Sequence, residues 1–180
     1  SLNLNNQKTI NWIQNFKTES EIIFKGNPII ISGDNIIIST EKNISFINRN
    51  GARLWDLNIK SNISPVVSGN TIFTVNRDNY LVFINKDTGK IVYSKNLNLL
   101  IKNNYNKKFS RKIKTISHIY LADNKLLLIS NNSYFIEIEI RKMININSIK
   151  KNSFSILSDI IFIEDEMIFV GNSRKIYKVN

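Results

Sequence analysis

Three acidic residues in a row, Glu164-Asp165-Glu166, form the densest carboxylate group of the chain and would on their own suggest a cation site. Their position argues for a solvated hairpin turn, because Gly33-Asp34-Asn35 and Gly69-Asn70 stand at the same place in stronger copies of the repeat described below. Glu137 and Glu139 could form an acid/base pair. They alternate with Ile136, Ile138 and Ile140, however, which is the period of a strand with one wet face. His118 is the single histidine, and with no second His and no Cys it has no co-ligand of either kind. The absence of cysteine also removes thiolate nucleophiles, zinc ribbons and disulfides. Neither a Gly-x-Ser-x-Gly elbow nor a phosphate loop is present. No catalytic, cofactor-binding or metal-binding residue is nominated, and the chain is expected not to be an enzyme.

Binding chemistry is better represented. Residues 96–115 hold Lys102, Lys107, Lys108, Arg111, Lys112 and Lys114, interleaved with Tyr105 and Phe109. Cations mixed with aromatic rings suit an acidic protein groove or lipid headgroups, and in principle single-stranded nucleic acid. These eight residues are the candidate partner-binding site, with a protein partner preferred, an anionic membrane surface second and nucleic acid disfavoured. The whole chain carries Lys+Arg 25 against Asp+Glu 14, a formal charge of +11. Ile, Asn and Lys dominate it, and their AT-rich codons can supply such basicity without an anionic partner.

The elements that position these residues are short. Runs of four to seven β-branched and aromatic residues alternate with Gly, Asn, Asp and Ser turn chemistry, and helical periodicity is scarce. The chain of 180 residues, 42% hydrophobic, can bury one continuous core, and no apolar run reaches the ~20 residues of a membrane-spanning helix. An internal repeat is plain: Gly33 and Gly69 lie 36 residues apart, Gly51 and Gly89 lie 38 apart, and so do Trp55 and Tyr93. Fainter copies follow around His118–Ile129 and Asp159–Val170. Each copy is a four-stranded antiparallel meander, which has two faces to bury and so must stack on its neighbours. The expectation is an all-β, single-domain β-propeller segment of about four blades, with repeats at about 15–55, 56–95, 114–150 and 151–180. Residues 96–115 are an inserted loop. Lys8-Thr9-Ile10-Asn11-Trp12 resembles a fourth strand, either completing the last blade or belonging to a preceding one, and the second is preferred. The segment is then the C-terminal half of a seven- or eight-bladed ring.

Ser64-Pro65-Val66-Val67-Ser68-Gly69-Asn70, with Asp87-Thr88-Gly89-Lys90-Ile91-Val92-Tyr93 and Asn50-Gly51-Ala52-Arg53-Leu54-Trp55, resembles the pyrroloquinoline-quinone-like (PQQ-like) propeller repeat. The likeness is sharp over residues 27–95 and faint beyond, where Ile140–Ile146 replaces the Gly-Lys-x-x-Trp ending. It implies that Trp12, Trp55 and Tyr93 pack between blades. Families sharing the repeat include quinoprotein dehydrogenases, sensor domains and the BamB-like lipoproteins of outer-membrane β-barrel assembly. A quinoprotein is expected to bring a vicinal disulfide and a calcium site, which this cysteine-free chain does not offer. Resemblance therefore implies a non-catalytic, cofactor-free, periplasmic protein-binding scaffold associated with the outer membrane. A quinoprotein fragment and a sensor or nucleic-acid-binding propeller are the alternatives.

Overall fold

The computed structural model describes residues 2–3, 9–10, 27–122, 124–140, 144–163 and 166–179. Three four-stranded antiparallel meanders follow one another: β3 (Ile30–Ser32) to β6 (Arg53–Leu57), β7 (Val66–Ser68) to β10 (Ile91–Asn96), and β11 (Ile116–Ala122) to β14 (Ile144–Lys151). The intervening strands are β4 (Asn35–Ser39), β5 (Ile44–Asn48), β8 (Thr71–Val75), β9 (Tyr80–Asn85), β12 (Lys125–Ser130) and β13 (Tyr134–Ile140). A fourth sheet holds β15 (Ile161–Ile163), β16 (Glu166–Val170) and β17 (Ile176–Val179) among the described residues. These are the blades of an all-β propeller segment.

Turn chemistry explains the repeat. Gly33 and Gly69 close the hairpin between first and second strands, and Gly51 and Gly89 the hairpin between third and fourth, all four at positive φ. In the third blade the left-handed residue of this hairpin is Asn124 at φ 62°, one place later in the turn than Gly33, a conformation Asn tolerates through its short polar side chain. A second device recurs where sequence likeness has faded. One residue of each outer strand bulges from the ladder: Leu54, Val92 and Asn147 are passed over in the pairing of β6, β10 and β14. Trp55, Tyr93 and Ser148 follow these bulges, so Ser148 stands where the earlier blades carry an aromatic ring.

Burial follows the stacking. The third strands β5 and β9 are buried at four consecutive positions, and β9 alternates between the seam with blade one and the seam with blade three. Between blades one and two, Ile37, Ile44 and Phe46 pack with Ile72, Val82 and Ile84. Between blades two and three, Phe73 and Leu81 join Leu126, Leu128 and Ile136. Ile129 and Phe135 meet Ile160 and Phe169 between blades three and four. Trp55 stacks on Phe46 with ring centroids 5.4 Å apart, and its indole N–H donates to the Lys86 carbonyl of the next blade at 2.7 Å. Tyr93 stacks on Phe83 within its own blade at 4.8 Å, and its hydroxyl is buried without a partner.

Thr9–Ile10 (β2) pairs with Leu2–Asn3 (β1), while β17 pairs only with β16 among the described residues. The N-terminal strand is therefore not seen on the edge of the last blade. Trp12 lies outside the described residues.

Two seams generate predictions. Gly89 lies at φ +68° under the Trp55 ring, where an added Cβ would sit 2.8 Å from the indole Cγ, whereas Gly33 at φ +62° faces open space. Gly89→Ala is expected to destabilise by about 3 kcal/mol and Gly33→Ala by about 1 kcal/mol, since both incur left-handed backbone strain but only the first meets a ring. Urea melts of the two variants check the difference, and equal losses would show that the ring contact is not tight.

His118 lies at the seam between blades three and four, its Nδ1 2.9 Å from the Ser117 hydroxyl, its ring stacked with Tyr120. Burial lowers its pKa from 6.5, with the Asp159 carboxylate opposing. The unfolded chain thus takes up the proton first as pH falls. The stability held above pH 6.5 is lost as pH drops through the lower folded value. Thermal melts between neutral and mildly acidic pH are expected to fall for the natural chain and to flatten in His118→Asn.

Candidate functional site

Residues 96–115, expected to be a loop as an insertion between blades, are largely helical. They form helix α1 (Leu97–Asn104) and a single helical turn, α2 (Lys107–Ser110). The physical reason is a helical stripe: Leu97, Leu100 and Ile101 stand at i, i+3 and i+4, and all three are buried in the core between blades two and three. Asn96 caps α1 by accepting from the Leu99 N–H at 3.1 Å, and Asn106 caps α2 by accepting from the Lys108 N–H at 2.7 Å.

The insert is tied down at both ends. The Leu97 N–H donates to the Asn79 carbonyl at 2.7 Å, joining α1 to the β8–β9 hairpin. At the far end the Asn132 side chain donates to the Lys112 carbonyl at 2.7 Å and accepts from the Lys114 N–H at 3.2 Å, joining α2 to the β12–β13 hairpin. Its two aromatics face inward along a chain of edge contacts. Tyr105 meets Phe109 at 5.7 Å, Phe109 meets the buried Tyr134 at 6.1 Å, and the Tyr105 hydroxyl accepts from the Ile149 N–H at 3.4 Å. Phe109 is only partly exposed and Tyr105 retains 41% of its surface. Tyr105 and Phe109 therefore sit as a packed pair on the third blade.

The cations do the opposite. Lys102, Lys107, Lys108, Arg111, Lys112 and Lys114 are all exposed, and none forms an ion pair among the described residues. Residues 96–116 and 144–158 contain no Asp or Glu. Lys150 and Lys151, at the end of β14 against which α1 packs, extend the same surface. Lys151 reaches over the Tyr134 ring at 5.1 Å. Sequence reasoning missed these two because only the blade register brings them beside the insert.

The acidic groups have structural surroundings. Glu137 pairs with Lys125 at 3.0 Å across the sheet and accepts from Asn147 at 3.2 Å, and these bonds hold its carboxyl below the ordinary value. Glu139 stands opposite Lys125 in the ladder. Glu166 pairs with Lys178 at 2.7 Å, while Glu164 and Asp165 lie outside the described residues. Among the described residues no three His, Cys, Asp or Glu side chains converge on a metal position. A cavity of about 1440 Å³ runs along the first strands, between Ile30–Ser32, Pro65–Gly69, Tyr120–Ala122 and Phe162. Its polar groups are Ser32, Ser68, Asn124, Lys125 and Glu137, of which the last two pair with each other.

A comparison with family models matches residues 17–95 and 40–142 to the family described as outer membrane protein assembly factor BamB. A comparison with curated proteins finds no match by sequence. Among solved structures the chain is similar to BamB from Moraxella catarrhalis, with 7% identity and a TM-score of 0.64 over 84% of this chain and 42% of that one. It is also similar to the computationally designed Ika4 protein, with 9% identity and a TM-score of 0.58 over 91% of this chain and 94% of that one. The WD40 domain of Neurospora crassa Pan2 is a third, with 9% identity and a TM-score of 0.57 over 79% and 40%. The chain thus spans less than half the length of the Moraxella protein, and at these identities the solved structures speak for the fold. With more than half of its length matched by the family model, the chain belongs to the BamB family of PQQ-like β-propellers.

Proposed function

We propose that the chain is a non-catalytic scaffold that acts by binding, in the periplasm beside the outer membrane. It holds a protein partner of β-barrel assembly through its loops and blade edges. The observation that carries this reading is where the array departs from plain repeating blades. That departure is a helical insert pinned to two hairpins and presenting its polar side outward, a surface suited to contact. The groups able to do acid–base work are engaged in the sheets instead, Glu137 with Lys125 and Glu166 with Lys178. Membership of the BamB family supports the partner class and the compartment.

The segment fits a ring of seven or eight blades. Its two flanks expose apolar residues of the kind that the internal seams bury: Ile29 and Ile31 on the first blade, at 63% and 77%, and Ile161 and Ile163 on the last, at 62% and 52%. Further blades would cover them.

Capture from a native outer-membrane fraction tests the scaffold reading. The tagged chain is expected to enrich an outer-membrane barrel assembly protein over an unrelated propeller of equal net charge. Equal recovery on both baits would remove the assembly role and leave the family fold alone. Removing residues 96–115 is not a usable control, because Leu97, Leu100, Ile101 and Ile113 belong to the core. Leu99→Ala, at an exposed position of the insert that leaves those four in place, is the better variant.

A further inference from the structure

Even-stranded meanders place their connections on two opposite faces. The connections between second and third strands share one face with the blade-to-blade segments, as the bonds from the insert to Asn79 and Asn132 show. The hairpins between first and second and between third and fourth strands share the other.

Charge divides unequally between these faces. The insert's face carries the six cations Lys102, Lys107, Lys108, Arg111, Lys112 and Lys114, then Lys150 and Lys151, with Lys42, Lys60, Arg77, Arg174 and Lys175 in the other connections. Against them stand Glu41, Asp78 and Asp159, with Asp56 near the end of β6 at the level of Lys150, and Glu41 is taken up by Arg77 at 3.3 Å. Among the described residues the hairpins of the other face hold Arg49, Lys86 and Lys90 against Asp34 and Asp87, a near balance. Codon bias would scatter lysines over both faces alike. Among the described residues the excess of cations instead gathers on one.

We propose that this face docks on an anionic lipid bilayer. The side-chain chemistry favours a membrane over an acidic protein. The face is dominated by Lys, a compact point charge on a flexible stem, whereas bidentate recognition of carboxylates selects Arg. Its charges are spread across several connections instead of converging on a cleft, which matches a diffuse surface potential. Among the insert's cations, Leu99 is 56% exposed, an aliphatic side chain placed to enter the headgroup region. This inference is independent of the scaffold reading, since it needs no protein partner.

Sedimentation of the whole chain with lipid vesicles tests it. Binding is expected to mixed phosphatidylglycerol–phosphatidylcholine vesicles, to be weak on pure phosphatidylcholine, and to fall steeply as salt rises. Lys107→Gln/Lys108→Gln should lower partitioning about tenfold or more, and adding Lys102→Gln/Lys112→Gln should lower it further. Arg49→Gln/Lys90→Gln, an equal change of charge on the other face, should leave it within about twofold, with circular dichroism confirming that each variant is folded. The emission of Leu99→Trp should shift to the blue on anionic vesicles and stay unchanged with polyglutamate. Vesicle binding that falls equally in both double variants, or capture of polyglutamate without capture of vesicles, would overturn the proposal. The second result would hand the face to an acidic protein.

Discussion

Every other feature of this molecule depends on the apolar seam between adjacent blades. A four-stranded meander of Ile, Phe, Val and Leu has two hydrophobic faces, so an isolated blade would leave one or both in water. Stacking resolves this for three seams, each with its own buried cluster. Polar groups in those seams are few. Ser61, fully buried, bonds the Ile63 and Val75 carbonyls and meets the Thr74 hydroxyl. The isoleucines exposed at both flanks have no such cover among the described residues.

Much of this was legible from residues alone, because a propeller repeats its turn chemistry at a fixed period. Glycines at positive φ marked two hairpins in each of the first two blades. The third blade was fainter for a physical reason: Asn124 supplies the left-handed position of its first hairpin, and it does not stand out as glycine does. Its outer-strand bulge at Asn147 carries no sequence mark, since a bulge is a property of the pairing between two strands. Ser148 in place of Trp55 or Tyr93 removed the remaining signal.

The insert was misread for the opposite reason. Its helix stripe, Leu97, Leu100 and Ile101, and its caps, Asn96 and Asn106, are ordinary helix signals. They were lost among asparagines that elsewhere in the chain make turns. An Asn before a strand and an Asn capping a helix look alike until the following apolar spacing is counted. The six cations were found because composition suffices to see them, whereas Lys150 and Lys151 join them only through the register of β14.

The packing of the insert also decides what kind of contact it can make. Tyr105 and Phe109 are committed to the third blade, the first through its hydroxyl on the Ile149 backbone and the second through the Tyr134 ring. Apolar side chains that hold the insert against the blade are withdrawn from any partner, which leaves long exposed lysines as its main outward chemistry. Such a surface attracts at a distance, is screened by salt, and discriminates poorly among anions of similar charge density. A protein partner that docks there would draw its specificity from groups beside the insert, while the insert supplies the charge. A rigid scaffold suits that division of labour, since hairpin anchors at Asn79 and Asn132 fix the cations relative to the blades before anything binds.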